Sequence, residues 1–308
     1  MGLNTQLNKV AIVGCGRVGM TGAFSLLHTG IVNELVLYGR HKADLVGEQL
    51  DLEHGMNFLS PCKISSTDKY ADLAGSDVVI IAAGASQKPG QTRLDLIATN
   101  VAIIKSIIPE VIANAPDAVI LIVSNPVDIL TAVAYRISGL PKGRIFGSGT
   151  TLDTARFRFH LSQLLHVNPK SIHGYILGEH GDSSFPVFSS AMVGGQTMES
   201  MSTYSEEKGR KAFDQAQTAA YKIIESKGST YYAIGTAIAH IVKAILQDAR
   251  TIMPVSVPLH NYYGHSGVAL SLPCVVGRQG VEQTLEIRLS WEEKEKLARS
   301  VKVLKSYL

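Results

Sequence analysis

The feature that most constrains this chain is Gly14-Cys15-Gly16-Arg17-Val18-Gly19, set between the apolar run Lys9-Val10-Ala11-Ile12-Val13 and a helical stretch from Met20 to His28. A second apolar run, Glu34-Leu35-Val36-Leu37-Tyr38, follows, so the glycine spacing lies inside a β-α-β unit. In that setting each glycine has a physical task. Gly14 makes the tight turn, and Gly16 lets a pyrophosphate approach the backbone. Gly19 lets the helix pack closely with its N-terminus facing the phosphates. The spacing predicts a dinucleotide site to which Gly14, Gly16, Val18 and Gly19 contribute; the alternative is a tight strand–helix turn with no ligand.

The end of the second strand departs from the usual pattern. An Asp or Glu about 20 residues beyond the glycines ordinarily holds the adenosine ribose hydroxyls. Here the chain reads Gly39-Arg40-His41-Lys42. Without the acid there is no repulsion toward a 2′-phosphate, and Arg40 can pair with one through two N–H groups. Two readings stand: NADP is accepted, or NAD is used with a solvated basic turn beside it.

Asp77-Val78-Val79-Ile80-Ile81-Ala82-Ala83-Gly84 reads as another buried strand, running into the breaker-rich loop Ala85-Ser86-Gln87-Lys88-Pro89-Gly90-Gln91-Thr92-Arg93. A helical pattern resumes from Leu94 through Ile97, Val101, Ile104 and Ile108. The loop reads either as a lid delivering Arg93 to a ligand or as a surface loop with a solvated arginine. Ala118-Val119-Ile120-Leu121-Ile122-Val123 is a further strand, ending in Ser124-Asn125-Pro126. Strands alternating with helices define an α/β fold, a Rossmann-type doubly wound parallel sheet, in which ligands bind at the carboxyl ends of strands. Gly16, Gly84 and Asn125 fall at such ends, with Ala85 and Val123 beside them. Residues 1–150 are expected to form this dinucleotide-binding domain, and residues 151–308 a C-terminal α+β substrate domain.

In that second half, Leu152-Asp153-Thr154-Ala155-Arg156 places an acid and a base three residues apart on one helical face. This is either an intrahelical ion pair, or Asp153 orients a catalytic group while Arg156 clamps a carboxylate. Further on, Tyr175-Ile176-Leu177 ends in Gly178-Glu179-His180-Gly181-Asp182. A histidine fixed at a strand end is a good proton carrier near neutral pH, and equally a hydrogen-bonded turn residue. Gln196 to Ala249 reads as mostly helical with a break at Lys227-Gly228-Ser229-Thr230, and Asp248 to Gly277 as strands and turns. Ser290-Trp291-Glu292-Glu293 is a capping box opening a last helix with Leu297, Val301 and Leu304 on one face.

Composition narrows the class. With 308 residues, 45% hydrophobic and 18% charged, the chain can bury a large core. A net charge of +3 without a Lys/Arg block gives no case for nucleic acid. Cys15, Cys62 and Cys274 are scattered, which fits a reducing compartment. His160, His166, His173 and His180 have no metal-ligand spacing, so no metal is expected. No run is read as crossing a membrane, and the expected location is the cytoplasm.

Taken together, the glycine fingerprint, Gln87-Lys88-Pro89-Gly90 through Arg93, Ser124-Asn125-Pro126, Leu152-Asp153-x-x-Arg156 and Gly178-Glu179-His180-Gly181-Asp182 resemble the L-lactate/malate dehydrogenase family, and within it the bacterial lactate branch. The resemblance runs nearly end to end. It implies reversible hydride transfer between NAD and pyruvate/L-lactate. His180 would be the general acid–base, Asp153 its orienting partner and Arg156 the fork on the substrate carboxylate. Arg93 would polarise the carbonyl, Asn125 would position nicotinamide and substrate, and Thr230 would line the pocket. In the malate enzymes the position of Gln87 is an arginine; a neutral Gln87 leaves a second carboxylate unpaired and favours pyruvate over oxaloacetate. Malate dehydrogenase, a broader L-2-hydroxyacid dehydrogenase and a non-catalytic cofactor-binding regulator are the alternatives. The resemblance also implies a homotetramer, and a fructose 1,6-bisphosphate activator held by Arg158 and His173; the other reading makes these two structural.

Overall fold

A computed structural model describes residues 7–85 and 93–308, with Arg93 known by its backbone alone. The parallel half forms where the apolar runs lie. β1 (Lys9–Val13), α1 (Arg17–Leu27) and β2 (Glu34–Tyr38) make the first unit. α2 (Val46–Gly55) and β3 (Lys63–Thr67) follow; β3 has the sequence KISST, which carries no hydrophobic signal. β4 (Val78–Ile81), α3 (Arg93–Asn114), β5 (Val119–Ile122), α4 (Val127–Ser138) and β6 (Ile145–Gly147) complete it. These six strands are parallel in the order β3-β2-β1-β4-β5-β6. The order reverses between β1 and β4, so a crevice opens at their carboxyl ends.

The second half begins with α5 (Thr151–Leu165), then β7 (Ile172–Leu177), β8 (Phe185–Val193) and the short β9 (Gln196–Thr197), an antiparallel three-stranded sheet. α6 (Glu206–Lys227) and α7 (Tyr232–Leu246) follow, then β10 (Thr251–Pro258), β11 (Ala269–Gly277), β12 (Gly280–Thr284) and α8 (Trp291–Lys305). β10, β11 and β12 are antiparallel and extend the main sheet: Ser256 of β10 pairs with Gly147 of β6, giving nine strands in one sheet. The small sheet joins it at Gly178, whose N–H and carbonyl bond Ser271 of β11.

One packing contact sets the floor of the site. α1 and α7 approach so closely that a Cβ at Gly235 would come within 2.8 Å of the Thr21 carbonyl oxygen. The start of α7, and Thr230 just before it, is thereby drawn to the glycine turn.

Several expectations are corrected. The helix from Met20 to His28 does not bury all its apolar residues: Phe24 is 54% exposed and lies tilted against His28. The stretch from Gln196 is strand and 3₁₀ turn before the helix starts at Glu206. Within the stretch read as strands and turns, β11 buries Ser271 and Cys274 as deeply as Leu270 and Leu272, because the strand lies inside the sheet with both faces covered. Leu94–Asn114 is long and apolar enough to cross a membrane by length and composition, with a mean hydropathy of 1.7. Its Ile104, Ile107, Ile108 and Val111 are buried in the core against the sheet. The capping box forms as read, with Ser290 and Glu293 bonding reciprocally, and Leu297, Val301 and Leu304 are core.

Candidate active site

After β7 the backbone turns at Gly178, which has φ +90°, and a Cβ there would meet Ser300 Oγ at 2.8 Å. Two residues later His180 faces α5. Its Nδ1 lies 2.6 Å from Asp153 Oδ2, and Arg156 Nη1 donates to Asp153 Oδ1 at 3.1 Å. The intrahelical ion pair is formed, and the same carboxylate also meets His180, so one side chain serves histidine and arginine. The side chains are 28%, 15% and 12% exposed for His180, Asp153 and Arg156, open enough to meet a ligand and dry enough for charge to matter. The Asp153 charge raises the imidazole pKa to about 9, against the opposing effect of burial. Burial alone would raise Asp153, but the charges and hydrogen bonds of His180 and Arg156 outweigh it and hold the carboxyl below its ordinary value.

These groups form one wall of a cleft. Val18 from the glycine turn, Val123 and Asn125 after β5, and Thr230 from the α6–α7 turn line it with His180, Asp153 and Arg156. Residues from five distant segments thus converge on one cleft. Arg17 Nη1 also donates to Ser229 Oγ at 3.0 Å, tying the glycine turn to the segment carrying Thr230.

A second cleft is lined by Gly14, Gly39, Arg40, Gly84 and Ala85, the remaining predicted cofactor residues apart from Gly16 and Gly19, and also by Tyr38. A Cβ at Gly14 would sit 2.3 Å from the Ala83 amide nitrogen, and one at Gly19 would sit 2.1 Å from the Gly14 carbonyl oxygen, so both are required by packing. At Gly16 nothing lies within 4 Å, which leaves open space before the first turn of α1, where no acidic side chain stands. A helix N-terminus facing open space is a place for pyrophosphate. Burial, with a smaller effect from Glu48, raises the Cys15 thiol to about 12, so it faces this groove protonated. Arg40 is exposed at the groove's edge.

Gln87 lies outside the described residues, as does the side chain of Arg93. Arg158 and His173 are away from both clefts. Arg158 Nε donates to the Gly174 carbonyl at 3.0 Å, its guanidinium lies over the Tyr175 ring, and His173 is exposed beside it.

Three residues escaped the reading of the sequence. Asn100, buried in α3, accepts from the Ala85 amide at 2.7 Å and donates to the Asn125 carbonyl at 2.8 Å, joining the ends of β4 and β5. Asp128, in the first turn of α4, accepts the backbone N–H of His180 at 2.6 Å. Ser256 donates to the other Asp128 oxygen at 2.5 Å. The available signal was polarity inside apolar runs: Val127-Asp128-Ile129-Leu130 and Val255-Ser256-Val257.

A parallel sheet with strand order 3-2-1-4-5-6, a glycine turn and a half-buried carboxylate–imidazole–guanidinium group define a dinucleotide-dependent oxidoreductase architecture. Residues 8–147 match the lactate/malate dehydrogenase NAD binding domain, and residues 150–308 the lactate/malate dehydrogenase alpha/beta C-terminal domain. The chain belongs to the lactate/malate dehydrogenase family. It is 46% identical over 306 residues to an L-lactate dehydrogenase of Thermoanaerobacterium saccharolyticum, covering 97% of each chain. It is 47% identical over 307 residues to one from Thermoanaerobacter sp. strain X514, covering 98% of each. The crystal structure of the minor L-lactate dehydrogenase from Enterococcus mundtii superposes with a TM-score of 0.94 at 40% identity, over 98% of this chain and 97% of that one.

Proposed function

We propose that the protein is an NAD-dependent L-lactate dehydrogenase interconverting pyruvate and L-lactate, with His180 as general acid–base. The observation that carries this reading is the shared Asp153 carboxylate, which holds His180 and Arg156 side by side in one cleft wall. NAD, when bound, supplies or takes up the hydride. Gly14, Gly16 and Gly19 would hold it at the α1 N-terminus, and Gly84, Ala85, Val123 and Asn125 would flank it along the strand ends.

The chain's own residues handle the proton and the charge. Asp153 occupies Nδ1, so Nε2 of the imidazolium carries the proton given to the ketone oxygen. In the reverse direction the neutral imidazole takes the hydroxyl proton. Arg156 keeps guanidinium N–H groups free of Asp153 that fit a carboxylate as a fork. Arg93, carried toward the cleft, stabilises negative charge on the carbonyl oxygen. Thr230 closes the pocket, and neutral Gln87 suits a substrate with a methyl group at that end.

Three further assignments belong to this reading. Residues 1–150 serve the cofactor and 151–308 the substrate, supported by the cleft between the glycine turn and α5. Arg40 admits NADPH beside NADH. Fructose 1,6-bisphosphate activates a cytoplasmic homotetramer through Arg158 and His173. Support for the last comes from charge: a cationic Arg158 is bonded to Gly174, the strand neighbour of the exposed His173, and a pair of basic groups attracts phosphates.

The test is NADH oxidation by the purified protein with pyruvate and, in parallel, oxaloacetate. Fast turnover of pyruvate alone is expected. A preference for oxaloacetate overturns the substrate, and turnover of neither overturns the activity. Adding fructose 1,6-bisphosphate at subsaturating pyruvate is expected to raise the rate, an effect lost in Arg158→Gln.

A further inference from the structure

Beneath the catalytic loop lies a carboxylate that the reaction as described does not use. Asp128 is 2% exposed, on the first turn of α4, three residues after Asn125. Its Oδ2 accepts the backbone N–H of His180 at 2.6 Å, and its Oδ1 accepts the Ser256 hydroxyl at 2.5 Å. Both oxygens are therefore engaged, one by the loop and one by β10. Ser256 is itself fully buried and fixed by its pairing with Gly147. The loop is held from its other side by Ser300 of α8, whose Oγ accepts the Glu179 N–H at 2.7 Å.

We propose that Asp128 is a positioning residue for His180: a second carboxylate that pins the histidine's backbone from below and places negative charge beside its imidazole, while Asp153 pins the ring from the side. This rests on His180 acting as the acid–base. A buried carboxylate is retained at a desolvation cost, whereas a neutral Asn could accept the His180 N–H and donate its amide to Ser256 Oγ without that cost. The charge is thus the part that an amide would not replace. Around the imidazole stand Asp153 and Arg156 of α5, Asp128 of α4 and the adjacent Glu179. Of these, both aspartates favour the charged ring, and Arg156 opposes it. Burial raises Asp128 itself to about 6, with Ser256 and the His180 amide pulling it down and Glu179 pushing it up. Asp128 is accordingly charged wherever His180 is asked to titrate.

Asp128→Asn and Ser256→Ala separate the two contributions. Asp128→Asn removes the charge and keeps an acceptor for the His180 N–H, with the Ser256 contact reversed so that the amide donates to its Oγ. The alkaline midpoint of kcat/KM for pyruvate, set by His180 near 9, is expected to fall by about one pH unit. Ser256→Ala keeps the charge but frees one carboxylate oxygen, so kcat is expected to drop roughly tenfold with the midpoint unmoved. A folded Asp128→Asn protein with an unmoved midpoint overturns the proposal. Should that variant not fold, parental kcat in Ser256→Ala does so. The His180 ring can also be titrated by NMR in parent and variant. That measurement reads the Asp128 charge whether or not pyruvate is turned over, so a failed activity assignment and a failed Asp128 assignment give different results.

Discussion

His180 and Asp153 meet at 2.6 Å across the gap between the β7 turn and α5, and the oxygen of Asp153 left over from that contact takes Arg156. Acid–base group and carboxylate clamp are thus registered to each other through a single side chain. Replacing Asp153 should damage both. Asp153→Asn is expected to lower kcat/KM for pyruvate by ~10²-fold or more, through a less basic, misoriented His180. It should also weaken binding of oxamate, a pyruvate mimic, because Arg156 loses its brace. Oxamate affinity equal to the parent's would show that Arg156 is positioned independently.

The pH behaviour follows from the direction of the His180 shift. Its pKa rises from 6.5 in the open chain to about 9 in the fold. Pyruvate reduction, which needs the imidazolium, should hold below that value and fall above it; lactate oxidation should rise over the same interval. The same shift stabilises the fold fully below 6.5, and that contribution is lost as pH climbs toward 9. Asp128, raised from 3.8 to about 6, acts on the other side: it costs stability above 6, and the cost disappears as pH falls toward 3.8. Thermal unfolding scanned across pH should show Asp153→Asn losing the alkaline decline seen in the parent.

Substrate choice is expected to turn on one side chain. Gln87→Arg supplies the partner that a second carboxylate needs, and should shift the ratio of kcat/KM toward oxaloacetate by ~10-fold or more. A pyruvate preference as large as the parent's would show that position 87 does not face the substrate.

Cofactor choice can be probed at Gly39. A Cβ there would lie 3.0 Å from Leu45 Cδ1, the end of a side chain that can shift, so Gly39→Asp should be tolerated. The new acid favours ribose hydroxyls and repels a 2′-phosphate. Use of NADPH should fall relative to NADH, measured as the ratio of kcat/KM values, and an unchanged ratio would remove Arg40 from the adenosine site.

How much of this was legible in the sequence depended on where each constraint resides. The glycine turn and β1, β2, β4 and β5 could be read because burial on both faces demands unbroken apolar runs, and the turn demands residues without side chains. β3 could not: its KISST gains its place from pairing with β2, a tertiary fact. His180, Asp153 and Arg156 were visible as a pattern, but their meeting in space required α5 and the β7 turn to face each other. Asp128 stayed hidden for a different reason. An acid in the first turn of a helix is ordinarily explained by the helix dipole, and nothing local distinguishes one that reaches 52 residues along the chain.

The pairing of Ser256 with Gly147 has a mechanical consequence. One hydrogen-bonded plate crosses the junction near residue 150, so the halves on either side cannot swing like jaws without tearing strand from strand. Access to the cleft must come from bending of smaller segments at its rim. The chain should yield to heat as a single elastic body, in one calorimetric peak.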